Sequence, residues 1–316
     1  MLIQADARQI PLADRCVQCV VTSPPYFGLR DYGTANQIGL EPTPDAFVAA
    51  LVAVFREVRR VLADDGVLWL NLGDSYAGGG YSNHDVNGAA WKAAMNGDKR
   101  QSRQQDQRNA LAPFGIKPKD LIGVPWMVAL ALRADGWYLR SDIIWHKPNP
   151  MPESVTDRPT KAHEYLFLLT KSERYFYDAG AIREPHQTSN TIRDTGTRGT
   201  QGYAKAHGLS APARDNNGGL GYTEGGRNRR TVWTVPTMPY SGAHFATMPE
   251  KLVEPCILAG SRLGDRVLDP FMGSGTVGAV AERLGRRWVG LDLNPAYHQL
   301  AKKRTAQRGL RFEQTA

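Results

Sequence analysis

Hydrophobic positions along this chain alternate between two periods, and the alternation predicts its architecture. Met1 to Ala5 predicts a short strand ending at Asp6. Val17, Val20 and Val21 form a β-branched apolar run that predicts a buried strand. Phe27 to Glu41 is Gly-rich and polar, a loop over the end of that strand. Thr43 then offers an N-cap and Pro44 a first helical residue. Phe47, Leu51, Val54, Phe55, Val58 and Leu62 recur at helical spacing, giving one buried helix face. Asp64-Asp65-Gly66 is expected to stop that helix, and Val67 to Leu72 predicts the next strand, ending in Gly73-Asp74-Ser75-Tyr76.

Strand, helix, strand in this order is a βαβ unit, and it implies a parallel sheet. The pattern then breaks. Ala77 to Gly115 has no periodicity and is too long for an ordinary connection. A helix is expected near Pro118 to Ala134, strands at Tyr138 to Trp145 and Glu164 to Thr170, and an edge extension at Tyr175 to Tyr177. His146 to Arg158 is a Pro-rich loop. Arg183 to Ala243 is rich in Gly, Asn, Thr and Arg and could not bury a core alone. Helix resumes at Met248 to Ala259. Strand Arg266 to Asp269, a glycine turn and helix to Leu284, strand Trp288 to Leu291 and helix Pro295 to Arg308 make a second βαβ unit. The expected fold is α/β: a Rossmann-like, doubly wound, largely parallel sheet with helices on both faces, plus a small irregular region. The expected division is residues 1–182 and 244–316 in one domain, with 77–118 as an inserted polar loop, and 183–243 apart.

Charge sharpens the picture. The chain carries a formal +8 with a sequence pI near 9.4. Ala77 to Asp120 and Arg183 to Ala243 hold nearly all of the surplus, net +3 and +4. A basic surplus in two loops suits a polyanionic partner. No uninterrupted apolar run could cross a bilayer and the N-terminus lacks a signal-peptide core, so a cytoplasmic protein is expected. The three cysteines, Cys16, Cys19 and Cys256, lack a second pair or nearby His for zinc, so buried thiols and no metal are expected.

Two stretches carry chemistry. The strand at Val17 runs into Thr22-Ser23-Pro24-Pro25-Tyr26. Each proline fixes its φ and pushes the preceding residue out of the helical region. The result is a stiff turn at a strand's carboxyl end, offering a hydroxyl, free carbonyls and an aromatic ring. Those parts suit a flat polar ring, although a lone Pro-Pro is more often only a structural turn. The second stretch is Asp269-Pro270-Phe271-Met272-Gly273-Ser274-Gly275-Thr276, between a strand and a helix. Asp292 ends the next strand, 19 residues beyond Gly273. A carboxylate at about that distance from a glycine turn holds ribose hydroxyls in nucleotide-binding α/β folds. Asp269 would repel a pyrophosphate but pair with an ammonium, which favours S-adenosyl-L-methionine over NAD.

Together, TSPPY and DPFMGSGT resemble the S-adenosylmethionine-dependent DNA amino-methyltransferases, which modify N4 of cytosine or N6 of adenine. The catalytic motif precedes the cofactor motif, as in the permuted β group. The resemblance covers Met1 to Asp74, Asp120 to Lys171 and His244 to Arg308. It implies that Ser23, Pro24, Pro25 and Tyr26 hold the target base. It implies a cofactor site of Asp6, Thr22, Phe245, Thr247, Asp269, Phe271, Gly273, Ser274, Gly275, Thr276, Asp292 and Asn294. Residues 183–243 sit where the family places its target-recognition region, with His146, Lys147, Arg227, Arg229 and Arg230 as candidate DNA contacts. Asp74 could line the pocket or cap a helix. Ser23, where many adenine-specific relatives have Asp, favours cytosine N4, with adenine N6 the alternative. The implied partner is double-stranded DNA, met by a monomer or homodimer. No nuclease motif is visible, which suggests a separate or missing restriction endonuclease. Competing readings are a cytosine-C5 enzyme using Pro255-Cys256, a protein or RNA amino-methyltransferase, and a non-catalytic DNA-binding module.

Overall fold

The structure is a computed structural model that describes residues 1–29, 34, 36–77, 115–185, 226–237 and 248–306. Most of the two basic loops, with Phe245 and Thr247, lies outside the described residues.

Eight strands form one sheet: β1 (Leu2–Gln4), β2 (Val17–Thr22), β3 (Leu62–Leu72), β4 (Tyr138–His146), β5 (His163–Thr170), β6 (Val232–Thr234), β7 (Arg266–Asp269) and β8 (Arg287–Asp292). Their order across the sheet is β1-β8-β7-β2-β3-β5-β4-β6. Pairings from β1 through to β3 are all parallel. β5 runs antiparallel to both β3 and β4, and β6 joins β4 in parallel. The expected α/β sheet is therefore present, with one antiparallel hairpin inserted beside β3.

Helix α1 (Pro44–Val61) begins as its sequence predicts, with Thr43 Oγ1 accepting from Ala46 N at 3.1 Å and Pro44 in the first turn. Phe47, Leu51, Val54, Phe55 and Val58 are buried in a core with Val20, Leu68, Leu70, Phe167 and Leu268. Burying each such side chain is worth about 1.5–3 kcal/mol. Helix α2 (Val124–Ala134) adds Val128 and Leu132 to the same core. Alternate strand residues Cys19, Val67 and Trp69 point the other way, and Gly260 at the end of helix α3 (Glu250–Gly260) lies against all three. Helices α4 (Thr276–Arg283) and α5 (Pro295–Ala306) complete the described helices.

Four local expectations change. Asp64-Asp65-Gly66 does not stop α1. The helix ends at Val61, and these residues fall inside β3, where the register shifts between Val17↔Leu62 and Cys19↔Val67. Pairing with β2 begins at Leu62 and overrides the turn chemistry. Helix α2 starts at Val124, not Pro118, because Asp74 caps it there. Tyr175 to Tyr177 is no strand; Phe176 N donates to Asp65 O at 2.8 Å and Arg262 stacks on its ring. Val232–Thr234, inside the stretch expected to be low-order, forms the edge strand β6 of the main sheet. The backbone divides into two compact units, Met1–Asp178 with Thr231–Ala316, and Ala179–Arg230. Among the described residues no helix is long and apolar enough to cross a membrane.

A Cβ on Gly260 would lie 2.6 Å from Val67 Cγ2 and 2.8 Å from Cys19 Sγ. Overpacking of this kind costs about 1–3 kcal/mol. Gly260→Ala is expected to lower stability by that amount in urea denaturation, and an unchanged or raised midpoint would show that the helix–sheet contact is loose.

Candidate active site

The carboxyl ends of the parallel strands meet along one edge of the sheet. β2 ends at Thr22 and its neighbour β7 at Asp269, so the two motifs leave adjacent strands. β8 ends beside them at Asp292, and the chain beyond β1 supplies Asp6. Because β5 runs the opposite way, its start, His163-Glu164, arrives at this same edge. β4, antiparallel to β5, ends there at His146 and is followed by Lys147.

One cavity of about 250 Å³ opens along this edge. It is lined by Ser23, Pro24, Pro25 and Tyr26 from the first motif and by Asp269, Phe271, Gly273, Ser274 and Thr276 from the second. Asp6, Asp292 and Asn294 also line it. Thr22 and Gly275 act from behind. Thr22 is fully buried, and its hydroxyl donates to Asp269 Oδ1 at 2.7 Å. Gly275 sits at φ +80°, and a Cβ there would meet Ala301 Cβ at 2.8 Å.

Asp269 is buried, and its Oδ1 also accepts from Phe271 N at 3.1 Å. Burial pushes its carboxyl up to about 7 against those two hydrogen bonds, with the charge of Asp292 adding to the rise. Among the described residues no Lys or Arg forms an ion pair with it. An acid this buried, with no Lys or Arg paired to it among the described residues, suits a ligand that brings a cation. Asp292 accepts from Gly273 N at 3.0 Å through Oδ2 and from Asn294 N at 2.9 Å through Oδ1. A carboxylate oxygen accepts more than one hydrogen bond, so this acid can also take ribose hydroxyls. Ser274 and Thr276 are held by Arg304, whose Nη1 donates to both at 3.0 and 2.8 Å. Asp6 is gripped by Arg8 at 2.6 Å, and that bond holds its carboxyl below the usual range. These groups fit an S-adenosylmethionine: carboxylates to accept from an ammonium and ribose hydroxyls, and Phe271 as an apolar wall.

At the other end, Tyr26 Oη donates to Glu164 Oε2 at 2.5 Å and lies 3.2 Å from Asn71 Oδ1. Glu164 is ion-paired with Lys147, whose ammonium also sits 4.5 Å from the Trp145 ring centroid. Asn71, Glu164 and Trp145 line the cavity and were not picked out from the sequence as site residues. Periodicity marks all three as strand positions; the parallel order of β2 and β3 brings Asn71 here, and the hairpin of β4 and β5 brings Trp145 and Glu164. A Cβ on Gly73 would overlap the Tyr26 ring at Cε2, so that glycine makes room for the tyrosine.

The other candidates sort by position. Lys147 belongs to the cavity wall. His146 points to the β6 side, with Nδ1 3.1 Å from Thr234 Oγ1. Arg227 and Arg230 both pair with Glu184 inside the second unit, which also holds Arg229. Asp74 caps: its carboxylate accepts from Ser75, Gly123 and Val124 N–H groups. Cys256 is fully buried in α3 with its thiol on Leu252 O, where it could not serve as a nucleophile. Cys19 is likewise buried, and burial pushes its thiol up. No metal-binding cluster occurs among the described residues.

Known proteins point the same way. A family model described as DNA methylase matches residues 17–303. The Type II methyltransferase M.Cfr9I of Citrobacter freundii is 48% identical over 307 residues, spanning 96% of this chain and 86% of its own. M.SmaI of Serratia marcescens is 47% identical over 97% of this chain and 91% of its own. Among solved structures, the PvuII cytosine-N4-specific DNA methyltransferase shares the fold at a TM-score of 0.62 and 17% identity, covering 100% of this chain and 87% of that one. The Thermus thermophilus protein TTHA0409, solved in complex with S-adenosyl-L-methionine, superposes at a TM-score of 0.57 and 25% identity, over 98% of this chain and 95% of that one. With the family model spanning most of the chain and relatives near half identical over nearly all of it, this chain belongs to the S-adenosylmethionine-dependent DNA amino-methyltransferases of Type II restriction–modification.

Proposed function

We propose that this enzyme methylates the exocyclic N4 of a cytosine flipped out of duplex DNA. The observation that carries the reading is the shared cavity: the Ser23-Pro24 corner and the Asp269 elbow face one space and are tied together by Thr22. A base amino group inside a duplex cannot reach such a cavity, so the nucleotide must leave the stack. Its nitrogen lone pair is delocalised into the ring. Ser23 Oγ and the Pro24 carbonyl accept the amino hydrogens and favour a more tetrahedral, nucleophilic nitrogen. The Tyr26 ring lies against the base. When bound, S-adenosyl-L-methionine supplies an electrophilic methyl on a sulfonium. Asp269 takes its ammonium, Asp292 its ribose hydroxyls, Phe271 and Asp6 its adenine end. Rate enhancement comes from placing the two reactants.

Ser23, where many adenine-specific relatives carry Asp, supports cytosine over adenine. We assign target recognition to residues 183–243, with His146, Arg227, Arg229 and Arg230 at the DNA and Lys147 in the base pocket. A separate endonuclease would read the same site, and the enzyme would work as a monomer or homodimer.

Mass spectrometry of nucleosides from treated DNA is expected to show N4-methylcytosine; N6-methyladenine instead would overturn the base assignment. Ser23→Ala is expected to lower kcat by about 10²-fold, as loss of one aimed polar group typically does. Retention of wild-type rate would remove Ser23 from the mechanism.

Gly73→Ala drives a methyl group into the Tyr26 ring. Misplacement of this size costs about 10²-fold in rate. The expected result is that loss in kcat with cofactor affinity unchanged by calorimetry.

Asp269 gives a pH test. Its folded value of about 7 lies above the ordinary 3.8, so the unliganded fold holds the proton more tightly than the unfolded chain does. Stability of the unliganded enzyme is therefore lost as pH rises from about 4 to about 7. Cofactor binding runs the other way, because only the carboxylate attracts an ammonium. Affinity is expected to rise up to about tenfold per pH unit between pH 5.5 and 7. Asp269→Asn should bind weakly with no such slope, while its unliganded form is the more stable at pH 8.

A further inference from the structure

Glu164 has no place in either motif, yet it collects the hydrogen bonds of the base end. Its side chain is 14% exposed and lines the cavity. Oε1 takes the Lys147 ammonium. Oε2 takes the Tyr26 hydroxyl at 2.5 Å and Asn71 Nδ2 at 3.1 Å. Asn71 Nδ2 donates its other hydrogen to Tyr165 O at 3.1 Å.

A phenol has one proton to give. Among the described residues two acceptors face Tyr26 Oη: a carboxylate oxygen at 2.5 Å and an amide oxygen at 3.2 Å. The charged, nearer one wins, since charge-assisted hydrogen bonds are the shorter and stronger kind. With its proton committed, the Tyr26 oxygen meets Ser23 as an acceptor. Ser23 Oγ lies 3.4 Å away and donates to it. The Ser23 proton is then turned away from the base, and its lone pairs face the cavity. Reverse the chain and Ser23 would present its O–H to an amino group, donor against donor.

We propose that Glu164 is a positioning residue that sets hydrogen-bond direction at the diproline corner, acting through Tyr26 to make Ser23 an acceptor for the base amino group. Lys147 holds the terminus of this chain in an ion pair. The proposal rests on the reading that Ser23 receives the amino hydrogens.

The test is a double-mutant cycle in methyl transfer from labelled cofactor to DNA, with the full-length enzyme. Glu164→Gln and Tyr26→Phe are each expected to lower kcat roughly 30-fold, the size of coupling found between groups in one network. KM for DNA and cofactor affinity by calorimetry should stay within about twofold of wild type. The double variant should be no slower than Tyr26→Phe alone. Multiplicative losses, or Glu164→Gln at the wild-type kcat, would overturn the proposal. If Glu164→Gln fails to bind cofactor, Glu164→Asp replaces it: the shorter carboxylate keeps its charge but withdraws from Tyr26, and the same non-additivity is required. A wild-type enzyme that methylates no DNA would sink the functional reading, and this inference with it. An active wild type with multiplicative losses sinks this inference alone.

Discussion

One hydrogen bond closes a separation of 247 residues: the Thr22 hydroxyl on Asp269 Oδ1, 2.7 Å long and buried. It exists because β2 and β7 are parallel neighbours whose last residues end side by side. Everything in the cavity follows from that placement. The diproline turn must leave the sheet at Ser23, and the glycine elbow must leave it at Pro270. Two rigid exits from adjacent strands cannot diverge far, so the space between them is narrow and of fixed shape. The same bond helps keep a carboxylic acid in an apolar interior, where burial alone would raise its pKa further. The acid remains a site of stored unfavourable energy until a cation arrives, and a ligand that relieves it gains affinity.

The antiparallel hairpin does for the base end what parallel order does for the cofactor end. A purely parallel continuation past β3 would have sent the start of β5 to the opposite edge of the sheet. Running backwards, β5 delivers Glu164 opposite Trp145 and next to Asn71, while β4 delivers Lys147. An acid and an amide thus meet the Tyr26 hydroxyl from two strands, and Lys147, just beyond β4, pairs with the acid. The open face left by Gly73 lets that ring lie flat against the chain.

This division explains what could be read from the sequence and what could not. The two corners were legible because their chemistry is local: proline fixes its own φ, glycine tolerates φ of +50° to +80°, and Thr43 caps its own helix. Their adjacency was legible only through the βαβ order. Glu164 was invisible because an apolar run such as EYLFLLT says strand but not direction, and direction decides which end of it meets the cavity. Asp64-Asp65-Gly66 misled for the converse reason. Its local preference for a turn is genuine, but pairing with Val17 at Leu62 draws the segment into β3. Asp74 was undecided from sequence because pocket and cap compete for the same carboxylate. The start of α2 settled it, with the Gly123 and Val124 N–H groups taking both oxygens.

The two ends of the cavity also differ in charge, and the difference selects their occupants. At the cofactor end Asp269 and Asp292 end neighbouring strands; Asp269 accepts from a hydroxyl and one backbone N–H, and Asp292 from two backbone N–H groups. None of the groups bound to Asp269 cancels a full charge, so the elbow is negative at that residue whenever it is ionised. A pyrophosphate would be repelled there at any pH above about 7. A ligand carrying an ammonium and a sulfonium would be drawn in. At the base end, among the described residues, the only carboxylate lining the wall beside Tyr26 is Glu164, and Lys147 neutralises it. That leaves polarity without net charge, which is what an uncharged ring rimmed with donors and acceptors requires. On the proposed assignment, a cationic methyl donor and a neutral acceptor would be sorted to opposite ends before either touches the other.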